Sequence, residues 1–251
     1  MLRRHIKREF ERDLSVDLNG KPKHNSCISH CLAYSLGICK DLHTTVCSSC
    51  ENLWLIFKQL EEYLGQDHLE SLLVNQDKLI YYMAHLVRKV YLNSQFEIYL
   101  KELDQNGALI IVDYKMKILK QSTRETKEDF FGKRGWTLHT VLLFTKGENA
   151  QLDVRAFDHW SDDQHQDAYF TASSLHAVIT SLEKRPKWVT FISDNGPHYH
   201  NSELMVILSH WFDWYQVEVK KWLFLEPGEA KTMIDSHHAQ VCNNIFLFII
   251  N

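Results

Sequence analysis

The spacing of hydrophobic positions changes near residue 104, and the predicted secondary structure changes with it. From Leu53 to Leu103 apolar residues recur every three or four positions, which predicts two or three amphipathic helices interrupted at Gly65. A turn cluster at 104–107 follows. Beyond it, short runs rich in branched and aromatic residues predict strands at 108–119, 135–146 and 151–157, the last two joined by a hairpin turn at 147–149.

The remaining pattern alternates between helix and strand. It predicts an amphipathic helix over 167–184 that stops before Pro186, a strand at 188–192, a helix at 202–215, a strand at 217–225 and a helix opening at Gly228. A helix between two strands favours parallel pairing. The fold class is therefore α/β, or α+β overall, with a mixed sheet of about five strands flanked by helices and preceded by a helical region rich in Cys and His.

Three segments follow from these patterns. Residues 1–26 are charged, carry turn-forming residues and predict a flexible lead-in; 27–104 form a helical region with a candidate zinc knuckle; and 105–251 form the α/β domain. The last residues, 242–251, are apolar with no polar exit, so we expect this domain to be truncated at its C-terminus.

Composition narrows the class of protein. The chain has 251 residues, 45% hydrophobic, and a formal net charge of −4. The acidic balance argues against broad attraction to a polyanion, so any contact with nucleic acid is expected to be local. We find neither a secretory signal nor an apolar run long enough to cross a bilayer, which predicts an intracellular protein, nuclear or cytoplasmic, with no membrane partner.

Carboxylates at the ends of predicted strands carry the first candidate chemistry. Asp113 closes an apolar run that begins at Ala108, and Asp194 closes another that begins at Trp188. Burying an unpaired carboxylate is costly, so acids that converge at strand ends typically hold a cation. Carboxylates without a Cys or His cluster beside them suit Mg²⁺ or Mn²⁺, and two such ions can drive phosphoryl transfer.

The segment that follows the second acid resembles a known family. Residues 193–201, Ser-Asp-Asn-Gly-Pro-His-Tyr-His-Asn, resemble the second-aspartate motif of DDE-type cut-and-paste transposases, and residues 108–242 resemble their ribonuclease H-like catalytic domain. The resemblance implies metal-dependent cleavage and transfer of DNA strands, with transposon ends as partner, no small-molecule cofactor and possible homo-oligomers. Asp113 would bridge two ions, and Asp194 would bind one of them.

The sequence leaves open which residue is the third acidic ligand of the metal site. Glu229 has the spacing of the last glutamate in integrases and mariner-like transposases, and Asp235 lies further along. Alternatively, Asp235 and His238 match an Asp-x-x-His element of other transposase superfamilies, whose final glutamate would lie beyond the chain. Asp158 and His159 end the third predicted strand and could approach the same site, although a polar turn is the simpler interpretation. Lys231, with Lys220 and Lys221, is a candidate for binding a DNA phosphate.

A second chemistry lies in the cysteine-rich segment. Cys39, His43, Cys47 and Cys50 offer three thiolates and one imidazole within a span that can surround a tetrahedral structural zinc, with Cys27, His30 and Cys31 in reserve. Buried thiols without a metal are the alternative. The absence of an export signal argues against a disulfide framework.

Three functions remain open from the sequence. The first is a transposase-derived nuclease, active or decayed. The second is a non-catalytic nucleic-acid-associated or protein-interaction module on the same fold. The third is a zinc-dependent hydrolase that uses Asp194, His198 and His238.

Overall fold

The structure is a computed structural model that describes residues 4–119, 126–128, 135–226 and 232–250. Its internal contacts divide the chain into two units, Met1–Ile98 and Tyr99–Asn251. A search of these described residues finds no helix with the length and apolar character needed to cross a membrane.

The first unit is helical. A π-helical turn at His5–Glu9 leads into α1 (Phe10–Asp13), and a 3-10 turn at Ile28–His30 precedes α2 (Leu32–Ser35). Two longer helices follow, α3 (Ser48–Tyr63) and α4 (Gln66–Glu102), which correspond to the two or three helices that the sequence predicts. The interruption lies at Gly65, as expected.

The core of this unit forms where the short elements meet the long helices. Phe10 and Leu14 are buried there, although both lie in the segment that the sequence describes as a lead-in. Cys27 and Cys50 belong to the same core. The remaining fully buried members are Leu32, Leu53, Met83, Leu86 and Val87. Cys27 and Cys50, near the two ends of the Cys- and His-bearing segment, are therefore anchored in this core.

The second unit contains a five-stranded mixed sheet flanked by helices, which confirms the predicted fold class. Its strands are β1 (Gly107–Ile118), β2 (Trp136–Lys146), β3 (Leu152–Ser161), β4 (Trp188–Asp194) and β5 (Glu218–Leu225). Its helices are α5 (Ala168–Ser181), α6 (Ser202–Ser209), α7 (Trp211–Tyr215) and α8 (Thr232–Ile250). Asp167 and Asn201 cap α5 and α6, their side chains accepting the N–H groups of Phe170 and Leu204 at 2.8 Å.

The strand order is β3-β2-β1-β4-β5, so β1 is central. β1, β2 and β3 pair antiparallel, whereas β4 pairs parallel with both β1 and β5. The C-terminal ends of β1, β4 and β5 therefore meet at one edge, where an α/β sheet presents its functional groups.

The two faces of the sheet bury different residues. Ala108, Ile110, Val112 and Tyr114 of β1 pack with residues of α5 and α6 in one core. Successive strand residues point to opposite faces, so Asp113 lies on the other face, the side on which α8 contacts β1. In β4, Val189 and Phe191 belong to the first core. The same alternation places Asp194 on the face that carries Asp113.

Candidate metal centre and Cys/His groups

Four neighbouring strands each place one polar residue at the same level of the sheet. Asp113 of β1 lies opposite Thr140 of β2, and Thr140 lies opposite Asp158 of β3. On the other side of β1, Ile111 pairs with Ile192, and Asp113 and Asp194 each follow two residues later. We call Asp194, Asp113, Thr140 and Asp158 the polar row. The predicted pair of acids thus lies at one edge of the sheet and on one face.

Helix α8 adds three polar residues above this row. One ligand atom each from Asp113, Asp235 and His238 lies within 4.8 Å of the others. His238 Nδ1 is 3.9 Å from Asp113 Oδ2, and its Nε2 atom is 3.0 Å from Thr140 Oγ1. His237 Nε2 donates to Asp158 Oδ2 at 2.9 Å. The Asp-x-x-His element that the sequence singled out therefore meets the central acid.

The hydrogen bonds assign the tautomer of His238. Thr140 donates its hydroxyl proton to Asp158 Oδ1 at 2.6 Å, so the Thr140 oxygen accepts from His238 Nε2. Burial, with Lys115 and His237 next, lowers the pKa of His238 to about 4, so the ring is neutral near pH 7. The Nδ1 lone pair consequently faces the carboxylate of Asp113. Two electron-rich atoms in this arrangement favour a cation between them, and opposite ligands of a hard cation lie about 4 Å apart.

Asp113 itself is 7% exposed, and the surroundings of the two acids differ. Asp194 makes an Asx turn in which its Oδ1 atom accepts the N–H of Gly196 at 2.8 Å. His198 Nε2 lies 3.4 Å from the same oxygen. Gly196 leaves room for this loop, because a Cβ there would lie 2.4 Å from His198 Cε1. The turn therefore holds Asp194 at the strand end, next to Asp113.

Both acids act electrostatically on one buried phenol. Burial, followed by Asp113, Tyr114 and Asp194, raises the pKa of Tyr199 well above its ordinary value. Its hydroxyl lies 3.1 Å from His139 Nε2, and burial lowers the pKa of His139 well below its usual range. A neutral hydrogen-bonded pair thus lies beneath the acids, and it adds no charge to the site.

The remaining predicted site residues have three different outcomes in the structure. Glu229 and Lys231 lie outside the described residues. Lys220 Nζ lies 3.8 Å from the ring centroid of Trp188, and Lys221 Nζ lies 5.0 Å from that of Tyr99. The polar turn predicted at residues 158 and 159 was wrong, because β3 continues to Ser161 and both residues are in the strand. The sequence hides this extension because Asp158 and His159 are polar, and their partners in the strand, Thr140 and His139 of β2, are set by the pairing of the strands and not by the local pattern.

Among the described residues of the first unit, two groups of potential metal ligands come together. One, which we call group A, consists of His24, Cys31, Cys39 and His43. His24 Nδ1 is 3.3 Å from Cys39 Sγ and 3.7 Å from Cys31 Sγ, and His43 Nε2 is 4.0 Å from Cys39 Sγ.

The second group, group B, consists of Cys27, His30, Cys47 and Cys50 and is more buried. His30 Nδ1 lies 3.6 Å from Cys47 Sγ and 3.8 Å from Cys50 Sγ. Burial lowers the pKa of His30, while burial and the neighbouring sulfurs of Cys47 and Cys27 raise that of Cys50. The imidazole is therefore ready to bind a metal, whereas the Cys50 thiolate needs a cation to stabilise it.

The knuckle predicted from the sequence is divided between these groups. Cys39 and His43 lie in group A, and Cys47 and Cys50 lie in group B. The three reserve residues complete the sets together with His24, a residue that sequence reasoning missed. Its signal is weak, because a histidine seven residues before the nearest ligand in its own group belongs to no short motif.

Comparisons with known proteins give a family but no curated relative. No curated protein matches the chain. Among solved structures, the chain is similar to one described as the crystal structure of the Mos1 strand transfer complex, with a TM-score of 0.33 and 12% sequence identity. That similarity covers 59% of this chain and 46% of the other, so the chain spans less than half of that protein's length. A family model described as a domain of unknown function (DUF8701) matches residues 93–247. Because the match covers more than half of the chain, the protein belongs to the DUF8701 family.

Proposed function

We propose that the second unit is the catalytic domain of a transposase-derived, intracellular protein that binds divalent metal ions and cleaves or transfers DNA strands. The observation that carries the proposal is the position of His238, whose Nδ1 lone pair faces Asp113 Oδ2 at 3.9 Å with Asp235 beside them. The carboxylates of this set suit Mg²⁺ or Mn²⁺, and the imidazole adds a nitrogen donor of the kind that transition metals bind, which favours Mn²⁺ within that pair.

Asp194 supports a second ion position. It shares the edge and the face of the sheet with Asp113, and both acids raise the pKa of Tyr199. Asp113 would contribute to both positions, and its neighbours support this role, because Asp194 ends the adjacent strand β4 and Asp235 and His238 of α8 lie within 4.8 Å of it. Two ions about 4 Å apart can stabilise the attacking and leaving oxygens of a phosphodiester.

The residues of this chain have separable tasks in such a reaction. Asp113, Asp194 and Asp235 would bind the ions, with His238 as a nitrogen ligand. Thr140 and Asp158 would orient His238 through its Nε2 atom, as partners behind a metal ligand do. When bound, the ions supply a Lewis acid for the phosphate and lower the pKa of a bound water or 3′ hydroxyl. DNA as the substrate rests on the resemblance of residues 193–201 to the transposase motif.

The test is nicking of supercoiled plasmid by the full chain with Mn²⁺ or Mg²⁺. We expect nicking in Mn²⁺ that is lost in Asp113→Asn, which preserves shape and removes the charge. Asp153→Asn is the matched control, because Asp153 is an exposed β3 acid paired with Arg155 at 2.9 Å. A protein that binds divalent ions but nicks in no metal would be the non-catalytic module, and zinc-dependent hydrolysis would identify the hydrolase.

The first unit has a different proposed role. We propose that its Cys and His residues bind structural zinc, because each group offers four protein ligands and leaves no open coordination position. Zinc prefers such sulfur and nitrogen donors, whereas the carboxylate site of the second unit favours harder ions.

A further inference from the structure

We infer that the first unit binds two zinc ions through interleaved ligand sets, a Cys2His2 set in group A and a Cys3His set in group B. This inference deepens the proposed structural role of zinc and does not depend on DNA cleavage by the second unit. It differs from the single knuckle that the sequence predicts, both in the number of ions and in the ligands.

The distances between donor atoms match tetrahedral zinc. Bonds of about 2.3 Å to sulfur and about 2.0 Å to nitrogen at tetrahedral angles place a sulfur and a nitrogen about 3.5 Å apart. In group A the sulfur–nitrogen distances are 3.3, 3.7 and 4.0 Å. In group B they are 3.6 and 3.8 Å. Each group is therefore already close to the size that one ion requires.

The surroundings of His30 provide a second, independent observation. Its Nδ1 atom faces the sulfurs of group B, while its buried Nε2 atom lacks a hydrogen-bond partner and lies 3.7 Å from Asp13 Oδ2. Histidines that bind a metal through one ring nitrogen commonly donate the other N–H to a carboxylate. A small rotation of the ring on metal binding would complete that hydrogen bond. The orphaned nitrogen is thus explained by a metal on the opposite side of the ring.

Backbone contacts hold the ligand-bearing segments of group B together. Cys27 forms a parallel bridge with Thr45, and the N–H of Cys47 donates to Cys27 Sγ at 3.3 Å. These contacts hold Cys27 beside Cys47 in the folded chain, before any metal binds.

The order of ligands along the chain interlocks the two groups. Group B takes Cys27 and His30 from one side and Cys47 and Cys50 from the other, so that it closes a loop over residues 31–46. Three ligands of group A, Cys31, Cys39 and His43, lie inside this loop, and His24 lies before it. Each ion therefore closes a loop that contains ligands of the other. We expect the two ions to stabilise one cooperative unit instead of two independent fingers.

The experiment is metal analysis of the purified full chain by native mass spectrometry, followed by Co²⁺ substitution. We expect two zinc ions per chain. Two Co²⁺ ions should give sulfur-to-metal charge-transfer absorption from five thiolates in total. His24→Ala is the diagnostic variant, because it belongs to group A and lies outside the single knuckle. It should lower the zinc content of the chain, whereas His68→Ala, an exposed histidine of the same unit outside both groups, should keep two ions.

The outcomes separate the two proposals. One ion per chain, unaffected by His24→Ala, would overturn the interleaved arrangement while leaving a structural zinc in place. No bound zinc would overturn the structural role as well. If His24→Ala fails to fold, Cys39→Ser and Cys47→Ser tested by Co²⁺ titration supply the second measurement. Each variant should change the sulfur–metal absorption of its own site first, the Cys2His2 site in Cys39→Ser and the Cys3His site in Cys47→Ser, and identical spectra from both variants would contradict separate sites.

Discussion

His238 lies with its Nδ1 atom 3.9 Å from Asp113 Oδ2, which joins the last helix to the central strand of the sheet. The side chain is 2% exposed, and its other nitrogen is held by Thr140. A buried imidazole with one nitrogen fixed offers the second in one direction only. The helix therefore contributes chemistry to the sheet as well as packing.

Thr140→Val tests the support behind this imidazole. Valine keeps the shape of threonine but removes both the acceptor for His238 and the donor to Asp158. We expect the free energy of unfolding to fall by about 1–3 kcal/mol and the affinity for Mn²⁺ to fall about 10- to 100-fold. Urea titration and isothermal calorimetry measure the two effects.

The control for that variant is Thr180→Val, in an exposed turn of α5, where the hydroxyl donates to backbone carbonyls at 2.8 and 3.2 Å. It should change stability by less than about 0.5 kcal/mol. Unaltered Mn²⁺ affinity in Thr140→Val would show that the hydrogen bond from His238 to Thr140 does not orient a metal ligand.

Asp235→Asn compares the two candidates for the third acid. Asp235 lies within the group formed with Asp113 and His238, so removing its charge should weaken Mn²⁺ binding markedly. Glu229→Gln should have the smaller effect. Luminescence of Tb³⁺ bound to each variant measures affinity without requiring turnover. A larger loss in Glu229→Gln would assign the third position to the glutamate instead.

Acid should destabilise the protein through its buried histidines. Burial lowers the pKa of His139 in the folded state. At pH values between the folded and the unfolded pKa, the histidine is therefore protonated in the unfolded chain but neutral in the folded one. This contribution to stability is fully present above about pH 6.5 and is lost as pH falls toward the folded pKa. His139→Gln cannot titrate there, and its unfolding free energy should depend on pH less steeply by up to about 1.4 kcal/mol per unit.

Urea titrations at several pH values between 7.5 and 5 measure this slope. His210→Ala is the comparison, because that histidine lies on the surface with its side chain 53% exposed. A slope in His139→Gln equal to that of the unaltered protein would contradict the assignment.

Removal of zinc should act on the first unit alone. A chelator is expected to expose residues 27–60 to proteases while β1 and β4 remain protected from hydrogen exchange, because residues on both faces of those strands are buried. Circular dichroism and limited proteolysis follow the change. A chelator without effect on either measurement would contradict a structural role for zinc in this region.

The sheet could be predicted from the sequence because its signal is local. The run Ala108–Val112 is apolar at every position, and the burial of both faces of β1 explains why. Asp113 and Asp194 each follow the last parallel pair of β1 and β4 by two residues, so they lie at the same edge of the sheet. The starts of α5 and α6 were also close to the prediction, since Asp167 and Asn201 are ordinary capping residues, whereas the single helix predicted at 202–215 is divided into α6 and α7.

The side chains that meet across the sheet, and the Cys and His residues that share a group, could not be predicted in the same way. Thr140 reaches Asp113 and Asp158 only through the register of three strands, which no short motif encodes. The division of Cys39 and Cys47 between two groups depends on how the intervening loop folds back. Spacing alone favours neighbours in sequence, and here it joined ligands that the structure separates.

The proposed metal site depends on correct strand pairing. A slip of one residue in β1 or β4 would turn Asp113 or Asp194 toward the opposite face and remove a proposed ligand, and a slip in β2 or β3 would turn away Thr140 or Asp158, which orient His238. An ion that binds only the correctly paired sheet stabilises it in proportion to RT ln(1 + [M]/Kd), which is about 2.7 kcal/mol at a hundredfold excess over Kd. Divalent cations would then help to select the native register during folding.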